Sequence, residues 1–208
     1  MCPKVTSQYK MDIRERIIQS AIDSFSRYGF DRTRMDDIAQ TANISKGTVY
    51  LYFKSKEDLF YGICENNLKV LKEQLSHLFV TTKENLLFDA EQFYDNLHKL
   101  EKSGSEKVFF ETVAESSRNP KLQRILYEQR TRIFNVVKEY LDHQVQKGFF
   151  RKDVGTDAIA CGLIALYDGL AVSKFLGINR NLNKKAWIGT VKAIITGLSY
   201  NHPTKTSY

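Results

Sequence analysis

Apolar residues recur along most of this chain at the spacing of one face of an α-helix. Over residues 12–28, Ile13, Ile17 and Ala21 follow one another every four positions, and Gly29 then offers a helix stop. The same period, with its polar breaks, predicts a short third helix after residue 43 and seven further helices over residues 33–42, 56–79, 86–100, 105–116, 121–147, 156–177 and 184–199. The pattern therefore predicts an all-α protein of about nine helices.

The short third helix follows a tight turn within residues 43–53. Asn43 tolerates the left-handed conformation that ends a helix, and Ser45 is a good N-cap for the next one. Val49 and Phe53, four positions apart, are expected to anchor this helix to the rest of its domain. Two helices joined by so short a turn have the geometry of a helix-turn-helix.

Polar residues crowd the start of this third helix, where free backbone N–H groups favour phosphate. Gly47 lacks a side chain, so a DNA backbone or a base edge can come close to the helix. Lys46, Thr48 and Tyr50 are the candidates for reading bases. The alternative for these residues alone is an αα-hairpin with solvated polar side chains and no ligand.

The charge of the chain permits a nucleic acid partner without proving one. The 208 residues carry a net charge of +7, and a basic surface that serves solubility alone would give the same value. The first 56 residues hold ten Lys or Arg against six Asp or Glu, which favours DNA modestly. The polar residues 1–10, with Lys4 and Lys10, are expected to form a frayed arm.

Cysteine usage and hydropathy favour a cytoplasmic protein. Cys2, Cys64 and Cys161 are widely spaced and form no C-x-x-C, so we expect reduced thiols rather than disulfides or a zinc site. The N-terminus lacks the apolar segment of a secretion signal. No run of about 18 apolar residues predicts a membrane span.

No residue pattern predicts catalysis. The motifs G-x-S-x-G, the P-loop and H-E-x-x-H do not occur in the sequence. Asp95 and His98 come nearest to a metal-binding pair, but the C-terminal region offers no second pair. We therefore predict no enzymatic activity, no metal and no cofactor. An alternative from a different functional class is a helical ligand carrier or enzyme whose N-terminal region is only a hairpin.

The N-terminal residues together resemble the tetracycline-repressor (TetR) family. The similarity covers roughly residues 10–60 and rests on Arg32-Thr33, Met35-x-x-Ile38-Ala39, Ala42-x-Ile44-Ser45-Lys46-Gly47-Thr48-Val49-Tyr50-x-Tyr52-Phe53 and Lys56-x-x-Leu59. Asn43 departs from the pattern, since the family often has glycine there. Asn tolerates the same left-handed turn, so the departure does not weaken the resemblance.

The resemblance implies a homodimer on a palindromic operator, with a DNA-binding domain at 1–56, a linking helix at 56–79 and a C-terminal ligand and dimer domain at 57–208. By position, phosphate contacts fall to Thr33, Lys46, Tyr52 and Lys56. The recognition helix carries Ser45, Gly47, Thr48 and Tyr50. Arg34 is added on its charge and location.

The C-terminal domain is expected to bind a small, largely hydrophobic effector that releases a repressor from DNA, and a ligand with a fatty chain is one candidate. Its pocket is predicted at aromatic residues, although aromatics at helical spacing also suit a core: Phe88, Phe93, Phe109, Phe110, Tyr127, Phe134 and Tyr167. The dimer interface is predicted on the last two helices, at Gly162, Ala165, Gly169, Trp187, Val191, Ile194 and Leu198. Composition alone fits an intramolecular core equally well. A family member that activates, or that has no ligand, is the alternative function.

Overall fold

The computed structural model describes residues 6–79, 82, 85–101 and 104–199. Within these residues the chain forms α-helices and no strand, which confirms the all-α prediction. The helices are α1 (Ser7–Tyr28), α2 (Met35–Thr41), α3 (Lys46–Tyr52), α4 (Lys56–Phe79), α5 (Leu86–Glu101), α6 (Ser105–Ser116), α7 (Pro120–Gln146), α8 (Thr156–Phe175) and α9 (Arg180–Ser199).

Helices α1 and α9 begin several residues before their predicted starts because side-chain caps act there. Helix α1 begins at Ser7, since the Thr6 hydroxyl accepts a hydrogen bond from the backbone N–H of Tyr9 at 3.2 Å. The expected arm is therefore wrong for residues 7–10, while residues 1–5 lie outside the described part. Helix α9 begins at Arg180, where the Asn179 side chain accepts from the backbone N–H of Asn181 at 2.8 Å.

The chain divides into two compact units. The first comprises Met1–Lys69 and Lys99–Gln129. It is larger than the predicted 1–56 domain because α6 and the start of α7 pack into the same core as α1. Val108 of α6 and Leu122 of α7 are fully buried there, beside Phe25 and Ile38. The DNA-binding helices thus share one hydrophobic core with elements from the middle of the chain.

The second unit comprises Val70–His98 and Arg130–Tyr208. Its apolar side chains form two clusters that share Leu163 and Ile195. One cluster centres on Leu141, Phe150 and Ala160; the other centres on Tyr94, Trp187 and Val191. The unit therefore has a core of its own, built from α5, the main part of α7, α8 and α9.

Helix α8 stands out as apolar on nearly every face. By length and composition it is one helix that could cross a membrane, yet only 11% of its most apolar window is buried inside the subunit. The small residues Gly162, Ala165 and Gly169 lie on its outward side. Most of α8 is therefore exposed or only partly buried in the single chain.

Candidate DNA-binding site

The turn between α2 and α3 has the predicted conformation. Asn43 adopts a left-handed backbone with φ 51°, and Arg16 donates to its carbonyl oxygen at 3.1 Å. The Ser45 hydroxyl accepts from the backbone N–H of Thr48 at 3.1 Å, so Ser45 caps α3 as predicted. The Ser45 hydroxyl also lies 2.8 Å from that of Thr48. Local hydrogen bonds therefore set the direction in which α3 leaves the turn.

One side of α3 is anchored and the other is exposed. Val49 is fully buried and Phe53 nearly so, which confirms the predicted anchor. The Arg14 guanidinium lies 5.3 Å from the Phe53 ring centre and covers it from α1. On the outer side, 38% of Tyr50 and 77% of Leu51 are exposed. A helix held in this way presents its polar start and these two side chains to a partner.

Lys46 stands at the start of α3 and forms an ion pair with Asp36 of α2. Its ammonium nitrogen lies 2.8 Å and 3.0 Å from the two carboxylate oxygens. The hydrogen bond and the charge of Asp36 raise the pKa of Lys46, so the lysine is charged at neutral pH. Beside it, a Cβ added at Gly47 would meet only the Ser45 hydroxyl, at 3.8 Å. The surface at Gly47 is therefore open to close approach.

Lys56 links the first turn of α4 to the loop between α1 and α2. Its ammonium donates to the carbonyl oxygens of Phe30 at 2.8 Å and Asp31 at 2.7 Å. It also lies 4.9 Å from the centre of the Phe30 ring. The positive charge is thus held in one place, next to the helix-turn-helix, by neutral acceptors that leave its charge unbalanced.

The structure corrects the role predicted for Thr33. Only 2% of this residue is exposed, and its hydroxyl donates to the carbonyl oxygens of Gly29 at 2.8 Å and Ser24 at 3.3 Å. The hydroxyl therefore serves the interior of the domain rather than a phosphate. Thr33 also does not begin the second helix, as the predicted range 33–42 implied: α2 starts at Met35, and Asp37 accepts from the backbone N–H of Arg34 at 2.8 Å. The sequence pattern identified Thr33 as a residue next to the second helix, but it did not predict that the side chain points into the domain.

The remaining predicted DNA contacts differ in exposure. Arg34, Ser45 and Lys46 are exposed, while Tyr52 is half-buried and packs against the core of the first unit. Two further residues border the same surface and were not predicted. Asp36 pairs with Lys46, and Lys54 donates to the carbonyl oxygen of Tyr50 at 2.9 Å. The position of Asp36 ten residues before Lys46 gave no sequence signal for this pairing.

Two sequence-family models match the chain and account for this arrangement. Residues 17–62 match the model described as "Bacterial regulatory proteins, tetR family". Residues 93–198, more than half of the chain, match the model described as "BetI-type transcriptional repressor, C-terminal". The chain belongs to the TetR family. It is therefore a DNA-binding transcriptional regulator.

Relatives of this TetR-family chain extend over nearly its whole length. The HTH-type transcriptional regulator YhgD of Bacillus subtilis (strain 168) is 24% identical over 199 residues, which cover 92% of this chain and 99% of YhgD. A TetR-family regulator from Syntrophomonas wolfei has a solved structure with a TM-score of 0.77 at 19% identity, covering 91% and 97% of the two chains. A regulator from Saccharomonospora viridis, solved in complex with choline, gives 0.64 at 22% identity and covers 89% and 96%.

The residues predicted for the dimer interface fall into two groups. Gly162, Ala165 and Gly169 of α8 are exposed. In α9, however, three of the four predicted side chains lie in the core of the second compact unit: Trp187, Val191 and Leu198. The indole N–H of Trp187 donates to the Ala90 carbonyl oxygen at 3.2 Å. These three are corrected to core residues of this TetR-family chain, and Ile194 is half-buried.

The residues predicted for the effector pocket belong to both compact units. The two compact units divide them: Phe109, Phe110 and Tyr127 belong to the first, and Phe88, Phe93, Phe134 and Tyr167 belong to the second. Phe88 and Tyr127 are largely exposed. In the second unit, Phe93 stacks on Trp187 with 6.2 Å between ring centres, and Tyr167 packs against the same cluster. A pocket made by all seven side chains is therefore not present within either unit.

Asp95, which the sequence brings nearest to a metal-binding pair with His98, makes a structural ion pair instead. Asp95 accepts from Lys184 at 2.9 Å, and Glu91 lies 3.0 Å from the same ammonium, so α5 is tied to the start of α9. The side chain of His98 lies outside the described residues. Across the part of the chain that the structure describes, no three His, Cys, Asp or Glu side chains are grouped so as to hold a metal ion.

Proposed function

We propose that this TetR-family regulator is a homodimeric repressor that binds a palindromic operator through two copies of α3 and is released by a small, largely hydrophobic effector. The observation that carries the DNA-binding part is the exposed start of α3. There a charged lysine, an unobstructed glycine and a half-exposed tyrosine stand side by side: Lys46, Gly47 and Tyr50.

The DNA contacts divide into two kinds. Arg34, Lys56 and the Tyr52 hydroxyl supply phosphate contacts, which fix the register of the protein on the duplex. Lys46 and Tyr50, with Thr48, reach the base edges of the major groove from the start of α3. Ser45 acts through its cap, because its hydroxyl is already bonded to Thr48. With so few base readers, part of the operator choice falls to DNA shape.

The dimer contact uses the outward faces of α8 and α9. A Cβ added at Gly162, Gly169 or Gly189 would meet no atom within 4 Å, so a second helix has room to approach closely. Ala165 and Ala193 are exposed on the same two helices. A second copy related by a two-fold axis would cover the apolar surface of α8 with an identical surface. The small burial of α8 in the single chain is the support for this step.

The effector site is proposed in the second unit, among partly buried aromatic side chains. Phe93 and Tyr167 pack on the Trp187 cluster, and Phe134 packs on the neighbouring cluster that shares Leu163 with it. These apolar surroundings suit a hydrophobic ligand, and a fatty chain is one candidate. The Saccharomonospora viridis protein of the same fold was solved in complex with choline, which supports a small molecule as the effector.

Release follows from differential binding. The effector has to favour a state in which the two copies of α3 are badly spaced for successive major grooves. The factor by which DNA affinity falls cannot exceed the ratio of the effector's affinities for the two states.

The DNA contacts are tested by fluorescence anisotropy on a duplex carrying a palindrome from upstream of the chain's own gene. Replacing Lys46 and Tyr50 together by alanine should weaken binding about 1000-fold or more, since the dimer then loses two contacts in each half-site and each contributes about 1–3 kcal/mol. The control replaces the exposed Lys152 and Tyr28 by alanine and should bind normally. Equal binding by both double variants would overturn the assigned contacts.

The interface and the effector need separate measurements. Gly169→Arg should convert the dimer to a monomer in sedimentation velocity, while Asn135→Arg, on the exposed side of α7, should leave the dimer intact. A dimeric Gly169→Arg variant would overturn the α8 interface.

The effector is tested by native mass spectrometry of the purified protein. The spectrum should show an added small mass, which is an effector carried from the cell. If neither the co-purified compound nor added hydrophobic compounds change the affinity for the duplex, the result would favour a regulator without an effector.

A further inference from the structure

Asp36 places a carboxylate directly against the lysine that reaches toward DNA. Asp36 lies in the first turn of α2, and Lys46 is the first residue of α3. The ion pair therefore joins the two helices of the helix-turn-helix. Both carboxylate oxygens lie within 3.0 Å of the ammonium nitrogen. The two side chains are about half exposed, at 59% for Lys46 and 45% for Asp36. The pair is therefore accessible to a duplex bound at α3.

A lysine paired in this way responds differently to phosphates and to base edges. A phosphate carries a full negative charge, so the neighbouring carboxylate repels it and competes with it for the ammonium. The O6 and N7 atoms of guanine are neutral acceptors, and the ammonium has three protons, so a base contact is compatible with the pair. The carboxylate thus penalises the sequence-independent contact more than the sequence-dependent one.

We propose that Asp36 is a specificity-determining residue, which holds Lys46 back from DNA phosphates and leaves it available to base edges of the operator. The inference rests on the proposed contact between Lys46 and DNA. It goes further in assigning the discrimination to a carboxylate that touches no base itself. Arg34, two residues before Asp36 and exposed, remains as a phosphate contact on the same surface.

The test measures the affinity of Asp36→Asn for the operator palindrome and for a random duplex of equal length. The isosteric amide removes one negative charge from each subunit of the proposed dimer, so random-duplex affinity should rise by up to about 30-fold, the upper range for two surface charge pairs. Operator affinity should stay within about twofold of the original protein. The dependence of log affinity on log salt for the random duplex should steepen by up to about 1.8, one additional counterion for each of the two subunits.

Three control variants make the result specific to the pair. Asp36→Glu keeps the charge and should behave like the original protein, and Asp23→Asn removes an equal charge from α1 and should change neither affinity. In a Lys46→Met background, Asp36→Asn should no longer raise random-duplex affinity. A rise that persists there would mean that the carboxylate acts on DNA directly, and it would overturn the proposal.

The outcomes also separate this inference from the proposed function. If Lys46→Met weakens operator binding while Asp36→Asn changes the affinity for neither duplex, the DNA contact stands and the role of Asp36 is overturned. If Asp36→Asn lowers the affinity for both duplexes, Asp36 only positions Lys46, and the proposal is again overturned. If Lys46→Met leaves both affinities unchanged, the DNA contact itself fails, and the inference fails with it.

Discussion

Asn119 donates a hydrogen bond from its side-chain amide to the Glu57 carboxylate at 3.1 Å, and so joins the start of α7 to the first turn of α4. The amide oxygen of the same side chain accepts from the backbone N–H groups of Lys121 and Leu122 at 3.1 Å and 3.2 Å. One residue therefore caps α7 and holds the helix that directly follows the helix-turn-helix. All four residues lie in the first compact unit.

Replacing Asn119 by alanine should destabilise the first unit. The variant loses the helix cap, which typically contributes about 1 kcal/mol, and the bond to Glu57 as well, so we expect a loss of about 1–2 kcal/mol in urea unfolding. Asn119→Asp is the matched control: it keeps the capping oxygen but loses the donor and places two carboxylates together. Adding Glu57→Gln to that variant should restore stability, because an amide then faces the new carboxylate. No recovery would show that the contact with Glu57 contributes nothing.

The Glu57 carboxyl group should make stability depend on acid pH. Burial opposes its ionisation, but hydrogen bonds from Asn119, from its own backbone and from Ser55, with the charge of Lys121, outweigh burial and lower its pKa below the ordinary 4.5. A pKa that is lower in the folded state stabilises the protein above the unfolded pKa, and this contribution is lost as pH falls through the folded value. The free-energy difference between the original protein and Glu57→Gln should therefore shrink from about pH 7 to about pH 3. A difference that stays constant across that range would contradict the assignment.

Thr33 should prove to be a structural residue. Thr33→Val removes the hydroxyl that donates to Gly29 and Ser24, so the free energy of unfolding should fall by about 1 kcal/mol. Operator affinity of the folded variant should remain within about twofold, because the hydroxyl does not face the duplex. Thr33→Ser keeps the hydroxyl and should recover most of the lost stability. A Thr33→Val variant that keeps its stability but binds DNA much more weakly would return this side chain to the phosphate contacts.

Trp187 should affect stability and not assembly. Trp187→Phe loses the indole N–H bond to Ala90 and part of the stacking on Phe93, and should destabilise the second unit by about 1–2 kcal/mol. The sedimentation coefficient should remain that of a dimer. The neighbouring exposed Ala186, replaced by serine, serves as the control for a mutation on the outer face of α9. A monomeric Trp187→Phe variant of unchanged stability would place the indole in the interface after all.

Local residue patterns predicted most of the helices and the shape of the recognition turn. Helix α6 was predicted with the bounds that it has, Ser105–Ser116, and Asn43 and Ser45 take their predicted left-handed and capping roles. These features depend on residues a few positions apart, so helical period, caps and turn residues are enough to specify them. The DNA-binding assignment needed the wider set of residues over 10–60 that carries the TetR resemblance, because the third helix alone also fits an αα-hairpin.

The tertiary structure decided which way the side chains face and which distant groups meet. The stripe with Trp187 and Val191 was recognised, but period alone cannot say whether a partner subunit or the rest of the same chain covers an apolar face. Thr33 turned inward because carbonyl oxygens at the end of α1 were there to receive its hydroxyl. The pairing of Asp36 with Lys46 likewise depends on the angle between two helices. Such contacts depend on how the whole unit packs. Short-range residue patterns do not predict that packing, because it arises only in the complete fold.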